Sequence, residues 1–282
     1  MSKTWRIADL LSWTTDYFMR NCIDSPRLEA EILLARVLNM DRVYLYANFD
    51  RPVDEAERDH YKDYIRRRVA GEPSAYIVGY KEFMSLDFKV TDEVLIPRPD
   101  TEVLVESIIE LVGEREKLKI CDIGTGSGAI AISLAHYLPN NVIYATDISS
   151  KALNIARENA LKHKVKINFL EGNLLSPVSD LGKFDIIAAN LPYISPNDFS
   201  KLANEVRDYE PELALIANGD GLDLYREFIP EAYDLLTPKG YLFFEISYDQ
   251  GVKALKLVSD FAEAELVKDY AGLDRLIMAR KG

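Results

Sequence analysis

A short apolar strand, Lys119-Ile120-Cys121-Asp122-Ile123, runs directly into Gly124-Thr125-Gly126-Ser127-Gly128 and then into a helix-forming stretch. Glycines packed this densely mark backbone angles, or an approach to a ligand, that a side chain would forbid. Strand, glycine turn and helix in that order open a doubly wound α/β sheet. The alternation continues downstream: strands are predicted at 119–123, 141–146, 166–170, 184–189 and 240–246, and helices at 128–137, 150–162, 222–236 and 250–260. This pattern predicts a parallel sheet with helices on both faces. The stretch 264–280 reads as two further strands around Ala271-Gly272-Leu273-Asp274.

Upstream, the period is helical. Ile7, Leu10, Leu11, Thr14 and Phe18 recur at helical spacing, and Leu28, Ile32, Leu33 and Val37 do so again behind Ser25-Pro26, where Ser is the expected cap and Pro the first-turn residue. A third helix is expected from about 54 to 70, stopping at Gly71-Glu72-Pro73. Tyr76-Ile77-Val78-Gly79-Tyr80 and Leu86-Asp87-Phe88-Lys89-Val90 read as the two strands of a hairpin, and a helix is expected over 103–112. The expected organisation is a small helical domain over 1–72, a β-hairpin linker over 73–95 and an α/β domain over 96–282. With 282 residues, 48% of them hydrophobic, the chain can bury a core in each domain.

Charge narrows the partners. Asp and Glu number 46 against 34 Lys and Arg, a formal net charge of −12. Nucleic-acid binding rests largely on neutralising phosphates, so no direct nucleic-acid partner is expected. The one dense basic run, Arg66-Arg67-Arg68, reads as the solvated end of a helix. Three His and two Cys are scattered without zinc-finger or redox spacing, so no metal site is expected, and unpaired Cys suit a reducing cytoplasm. No apolar stretch is long enough to span a bilayer, and residues 1–16 lack the pattern of a signal peptide. A cytoplasmic, monomeric protein without a membrane partner is the expectation.

The second predicted strand ends at Asp147, about 20 residues beyond the glycine turn, where such folds place an acid on ribose hydroxyls. A carboxylate suits that role because it accepts two hydroxyl hydrogen bonds at once. The turn alone allows a dinucleotide or S-adenosylmethionine. Its spacing is G-x-G-x-G rather than G-x-G-x-x-G, and Asp122 precedes it. An acid there would repel a pyrophosphate and suit the amino group and sulfonium of S-adenosylmethionine, although it equally caps the turn. Asn173 and Leu174, beyond the third strand, are candidates for the edge and face of adenine; Asn173 serves equally as a turn residue.

The fourth strand ends in Asn190-Leu191-Pro192-Tyr193. An amide nitrogen is a poor nucleophile because its lone pair is delocalised into the carbonyl. Two acceptors taking its two N–H hydrogens would hold the group and return electron density to nitrogen. The Asn190 side-chain oxygen and the Leu191 backbone carbonyl can be those acceptors, Pro192 rigidifies the turn, and Tyr193 offers an aromatic face. Placement can then supply most of the rate.

These residues resemble the release-factor glutamine methyltransferases, also called protein-(glutamine-N5) methyltransferases. The resemblance runs through Gly71-Glu72-Pro73, Lys81-Glu82-Phe83-Met84-Ser85-Leu86, Ile96-Pro97-Arg98-Pro99-Asp100-Thr101-Glu102, the glycine turn, Asn190-Leu191-Pro192-Tyr193 and Tyr209-Glu210-Pro211-Glu212-Leu213-Ala214-Leu215. It implies a Rossmann-like class I methyltransferase sheet behind a helical domain that docks a peptide-chain release factor. It also implies a methyl acceptor, the glutamine of a Gly-Gly-Gln loop. By motif, 124–128, Asp147 and Asn190 would bind S-adenosylmethionine and 190–193 would hold the glutamine; Arg98 is a candidate substrate contact. The family's commonest tetrapeptide has Pro at the position of Leu191, where the carbonyl is retained. An N6-adenine methyltransferase acting on nucleic acid would use the same tetrapeptide, and a non-enzymatic nucleotide-binding scaffold would use the same turn.

Overall fold

The N-terminal stretch of the chain is helical, as its apolar spacing predicts. The computed structural model describes residues 4–282; positions 1–3 of the stretch read above for a signal peptide lie outside the described residues. The chain divides into two compact units, one running from the N-terminus to Tyr80 and taking in Asn204–Tyr209, the other comprising Lys81–Ala203 and Glu210–Gly282.

The first unit is helical: α1 (Ile7–Arg20), α2 (Pro26–Leu38), α3 (Arg42–Ala47), α4 (Glu55–Val69) and α5 (Ser74–Val78). Ile7, Leu10, Leu11, Thr14 and Phe18 all point inward, as their spacing predicts. Helix α2 departs from expectation. Its buried residues are Ala30, Glu31, Leu33, Leu34, Ala35 and Leu38, while Leu28 is exposed. It packs against α1, α4 and α5 together, so its buried surface is broader than a single stripe. Ser25 takes a left-handed conformation and makes no capping hydrogen bond. The expected strand over 76–80 is also corrected. Residues 74–78 form one helical turn closed by Gly79 at φ 83°, because Pro73 starts a helix well and Gly79 ends it. Nor is the basic run merely solvated. Arg68 is buried and paired with Glu29 and Glu205, each at 2.7 Å, since a buried guanidinium persists only with carboxylate partners.

The chain continues into a hairpin, β1 (Tyr80–Phe83) and β2 (Leu86–Lys89), turned by Met84 and Ser85, both with positive φ. Helix α6 (Pro99–Val112) follows, then β3 (Lys119–Ile123), α7 (Ala129–Tyr137), β4 (Val142–Asp147), α8 (Ser150–His163), β5 (Asn168–Glu171) and β6 (Phe184–Ala189). The chain ends with α9 (Asp223–Leu235), β7 (Leu236–Glu245), α10 (Gly251–Leu257), β8 (Glu263–Lys268) and β9 (Asp274–Arg280). Seven strands make one sheet in the order β5-β4-β3-β6-β7-β9-β8. The pairings among β3 to β7 are parallel as expected, whereas β9 runs antiparallel to both β7 and β8.

Alternation along the strands builds two cores. Ile120, Ile186, Ala188 and Phe243 face one side, with α6 and α7; Cys121, Ile123, Ile187, Ala189 and Phe244 face the other, with α9 and α10. After β3 the chain steps outward to β4 and β5, then crosses to β6 on the opposite side of β3. This reversal opens a crevice beyond the carboxyl ends of β3 and β6, the place where open α/β sheets bind ligands.

Candidate active site

Ile123 and Ala189 are partners in the parallel register of β3 and β6, so Gly124 and Asn190 leave the sheet side by side. A cavity of about 420 Å³ lies beyond them, lined by the whole glycine turn except Gly128, by Asp147, Asn173 and Leu174, and by Asn190, Leu191 and Pro192. Gly124 has φ 71°, and a Cβ there would sit 3.1 Å from Leu191 Cδ2. Gly128, at φ 84°, opens α7, where a Cβ would come within 2.7 Å of Ile132 and 3.2 Å of Ala156. Leu191 crowds the start of the turn and Ile132 and Ala156 its end, so both positions call for glycine.

Asp147 lines the cavity and braces it. Its Oδ2 accepts from the backbone N–H of Gly126 and its Oδ1 from that of Ser149, both at 2.8 Å. Burial raises its pKa, and these backbone donors oppose the rise. Asp122 sits behind the turn and does not line the cavity. It is fully buried; Oδ2 accepts from Thr125 Oγ1 at 2.6 Å and from the backbone N–H of Ala131 at 3.2 Å, while Oδ1 makes no hydrogen bond. Burial pushes its carboxyl up to about 7. Ser127 is buried in the turn, where its carbonyl accepts from Asn159 Nδ2 at 2.9 Å; Asn159 also bonds both backbone groups of Lys89, tying the hairpin to the turn. On the opposite rim, Leu174 has φ 44°, and its carbonyl accepts from Thr146 Oγ1 at 3.0 Å. Ile148, which the sequence did not single out, lines the cavity with 54% of its surface exposed.

At the tetrapeptide, Asn190 Nδ2 donates to Thr101 Oγ1 at 3.2 Å, and Asn190 Oδ1 has no partner among the described residues. The backbone N–H of Leu191 donates to Tyr225 Oη at 3.1 Å, and Tyr225 Oη donates onward to the carbonyl of Glu245 at 2.6 Å. Tyr193 stands back from the cavity: its hydroxyl donates to Glu245 Oε1 at 3.0 Å and its carbonyl accepts from Gln250 Nε2. Burial, with the Glu245 carboxylate beside it, pushes the Tyr193 phenol far up.

Arg98 lines the cavity and is ion-paired with Glu210, whose other oxygen accepts from the backbone N–H of Ile96 at 3.3 Å. Pro211, Glu212, Leu213 and Ala214 line the same cavity. Within the stretch 209–215, to which sequence reasoning assigned no chemistry, Glu210 therefore anchors 96–98 and 211–214 wall the cleft. Thr101, Tyr225 and Glu245 were missed as well. Among the described residues, no group of three or more His, Cys, Asp or Glu could hold a metal, and no helix is long and apolar enough to cross a membrane.

A doubly wound sheet with this crevice, glycine turn and strand-end acid defines a class I methyltransferase. Solved structures share the fold: the hMettl16 catalytic domain in complex with MAT2A 3′UTR hairpin 6 superposes with a TM-score of 0.58 at 18% identity, covering 78% of this chain and 82% of that one. The T. thermophilus 16S rRNA N2 G1207 methyltransferase RsmC, in complex with AdoMet and guanosine, does so at 0.52 and 16%, covering 72% and 50%. Residues 9–79 match the family described as PrmC N-terminal domain and residues 99–206 the family described as methyltransferase small domain. The release factor glutamine methyltransferase of Moorella thermoacetica is 47% identical over 91% of this chain and 92% of its own; that of Geobacter sulfurreducens is 40% identical over 99% and 98%. The chain belongs to the release factor glutamine methyltransferase family and is an enzyme.

Proposed function

We propose that this enzyme transfers a methyl group from S-adenosylmethionine to the side-chain amide nitrogen of the glutamine in the Gly-Gly-Gln loop of a peptide-chain release factor. The observation that carries the reading is Asn190: its Nδ2 is committed to Thr101, which leaves Oδ1 as an unpartnered acceptor on the cavity.

The residues present fit the cofactor. Asp147 keeps lone pairs for ribose hydroxyls after its two backbone bonds. Ile148, Asn173 and Leu174 give an apolar wall and a polar edge for adenine. The unpartnered Oδ1 of Asp122 adds negative potential behind the turn for a cationic methionine end. When bound, S-adenosylmethionine supplies a methyl group on a sulfonium, already activated for transfer.

The chain's own residues deal with the weak nucleophile. Asn190 Oδ1 and the Leu191 carbonyl accept the two N–H hydrogens of the glutamine amide, orient its plane and enrich the nitrogen in electron density. Pro97, Pro192 and Pro211 form part of the cavity wall beside these acceptors. Docking of the release factor is assigned to the helical unit, which exposes Trp13, Met19, Val43 and Tyr46. The test is transfer of labelled methyl to a purified release factor, to its Gly-Gly-Gln Gln→Ala variant and to RNA. Label on the wild-type factor alone is expected. Label on the Ala variant or on RNA would refute the assignment.

A further inference from the structure

A single buried hydroxyl joins three elements behind the tetrapeptide. Tyr225, in the first turn of α9, is fully buried, and its ring packs on Phe244 of β7 with 4.8 Å between centroids. Its Oη donates to the carbonyl of Glu245, the last residue of β7, at 2.6 Å. The same Oη accepts from the backbone N–H of Leu191, just beyond β6, at 3.1 Å. The ends of this relay fix its direction. A backbone carbonyl can only accept and a backbone N–H can only donate, so the phenol proton points at Glu245 and a lone pair faces Leu191. Burial raises the phenol well above its ordinary range, so the proton stays in place. The carbonyl of Leu191, by contrast, accepts no hydrogen bond among the described residues, and Leu191 lines the cavity.

We propose that Tyr225 is a positioning residue: by holding the Leu191 N–H, its hydroxyl fixes the direction in which the Leu191 carbonyl meets the glutamine amide. The proposal rests on the amide-methylation reading above. A carbonyl's direction follows from how its residue is oriented at Cα and from ψ. At Leu191 the N–H is held by Tyr225, and the side chain is buried in the core that contains Tyr225 and Phe244, so two of the directions at Cα are pinned. Pro192 confines the ψ of the residue before it. The far end of the tetrapeptide is held as well, because Gln250 Nε2, in the loop after β7, donates to the Tyr193 carbonyl at 3.0 Å. Without the phenol oxygen, the Leu191 N–H would lie buried with no acceptor, and the orientation at Cα would rest on the side chain alone. A proline at 191 would reach the same end by another route: its ring sets φ, and it has no N–H to leave unpaired. The Tyr225 hydroxyl thus does for leucine what the ring does for proline.

The test uses the full-length enzyme with a release factor as methyl acceptor. It reads kcat and KM by labelled transfer, the Kd of S-adenosylmethionine by calorimetry, and hydrogen exchange at the Leu191 amide by NMR. Tyr225→Phe removes one oxygen and keeps the ring. Its kcat is expected to fall on the order of 10–100-fold, the scale for a reacting group displaced by up to about 1 Å. KM and Kd should change little, and the Leu191 N–H should exchange faster. In Leu191→Pro/Tyr225→Phe the missing hydroxyl has no N–H to hold, so kcat should match that of Leu191→Pro alone. Wild-type kcat in Tyr225→Phe, or the same loss in the Leu and Pro backgrounds, would overturn the proposal. If the double variant fails to fold, an unchanged exchange rate at Leu191 in Tyr225→Phe overturns it as well. A wild-type enzyme inactive on the release factor would instead bring down the functional reading, and the positioning role with it. The exchange measurement needs no substrate and separates that outcome from failure of the tether.

Discussion

The carboxylate of Asp147 accepts a hydrogen bond from the backbone N–H of Gly126 at 2.8 Å, joining the end of β4 to the glycine turn that follows β3. The same side chain accepts from Ser149 at the start of α8, so one residue holds two loops of the cleft at once. Asp147→Ala strips the acceptor from both backbone groups and removes the proposed ribose contact. Charge-assisted hydrogen bonds contribute about 1.5–3 kcal/mol each, so the affinity for S-adenosylmethionine should fall at least about tenfold. Asp147→Asn, which keeps one oxygen, should lose less. Calorimetry decides, and equal affinities for wild type and Ala would remove Asp147 from the cofactor site.

Leu191 stands where the commonest family tetrapeptide has Pro, and the structure shows what Leu adds. Its N–H donates to Tyr225 Oη, and its side chain is 4% exposed within the core that contains Tyr225 and Phe244. Leu191→Pro removes that donor and several buried methyl contacts, which should destabilise the protein by about 1–3 kcal/mol. The carbonyl survives. Turnover per folded molecule should therefore fall far less than in Asn190→Ala. Urea unfolding measured beside methyl transfer separates the two effects; a stable but inactive Leu191→Pro would contradict this.

Glu210 holds 96–98 in place through two bonds, one to Arg98 and one to the N–H of Ile96. Its side chain is buried and that of Arg98 about one-third exposed, so the pair is only partly screened by solvent. Glu210→Ala leaves a buried N–H unpaired and releases the guanidinium, with an expected loss of about 1–3 kcal/mol. If Arg98 contacts substrate, as proposed, Arg98→Ala should raise KM for the release factor more than it lowers stability. Glu210→Ala should do the reverse. Thermal unfolding and steady-state kinetics on both variants check the split.

What was legible in the sequence follows from how local each signal is. The strand-turn-helix unit at 119–137 could be read because glycine spacing and apolar period occupy one stretch of chain. The tetrapeptide 190–193 drew notice by its place, at the end of the fourth strand behind the glycine turn, since turns of Asn and Pro are common in themselves. The supporting shell was not legible: Thr101, Tyr225 and Glu245 come from three distant elements, and each resembles an ordinary helix or strand residue until the sheet brings them together. Helix α5 was misread because Ile77 and Val78 favour strands, whereas the caps at Pro73 and Gly79 decide a five-residue element. Arg68 looked solvated because its partners Glu29 and Glu205 are remote in sequence.

Asp122 should make stability and ligand uptake pH-dependent. Burial pushes its carboxyl up to about 7 in the folded state, from an ordinary value of 3.8. Between those values the folded protein holds a proton that the unfolded chain has released, so stability falls as pH rises through the window and levels off above about 7. The contribution is on the order of 2–4 kcal/mol. In Asp122→Asn the amide oxygen can still accept from Thr125 and Ala131, and no charge is buried; its stability should therefore decline less between pH 5 and about 8 and exceed that of wild type at the upper end. A cationic ligand near the turn would favour the charged form, so binding of S-adenosylmethionine near neutral pH should release a proton. Calorimetry in buffers of different ionisation enthalpy detects that proton directly. An observed binding enthalpy independent of buffer, together with parallel stability curves for wild type and Asp122→Asn, would mean that Asp122 stays in one protonation state throughout and acts only as a brace for the turn.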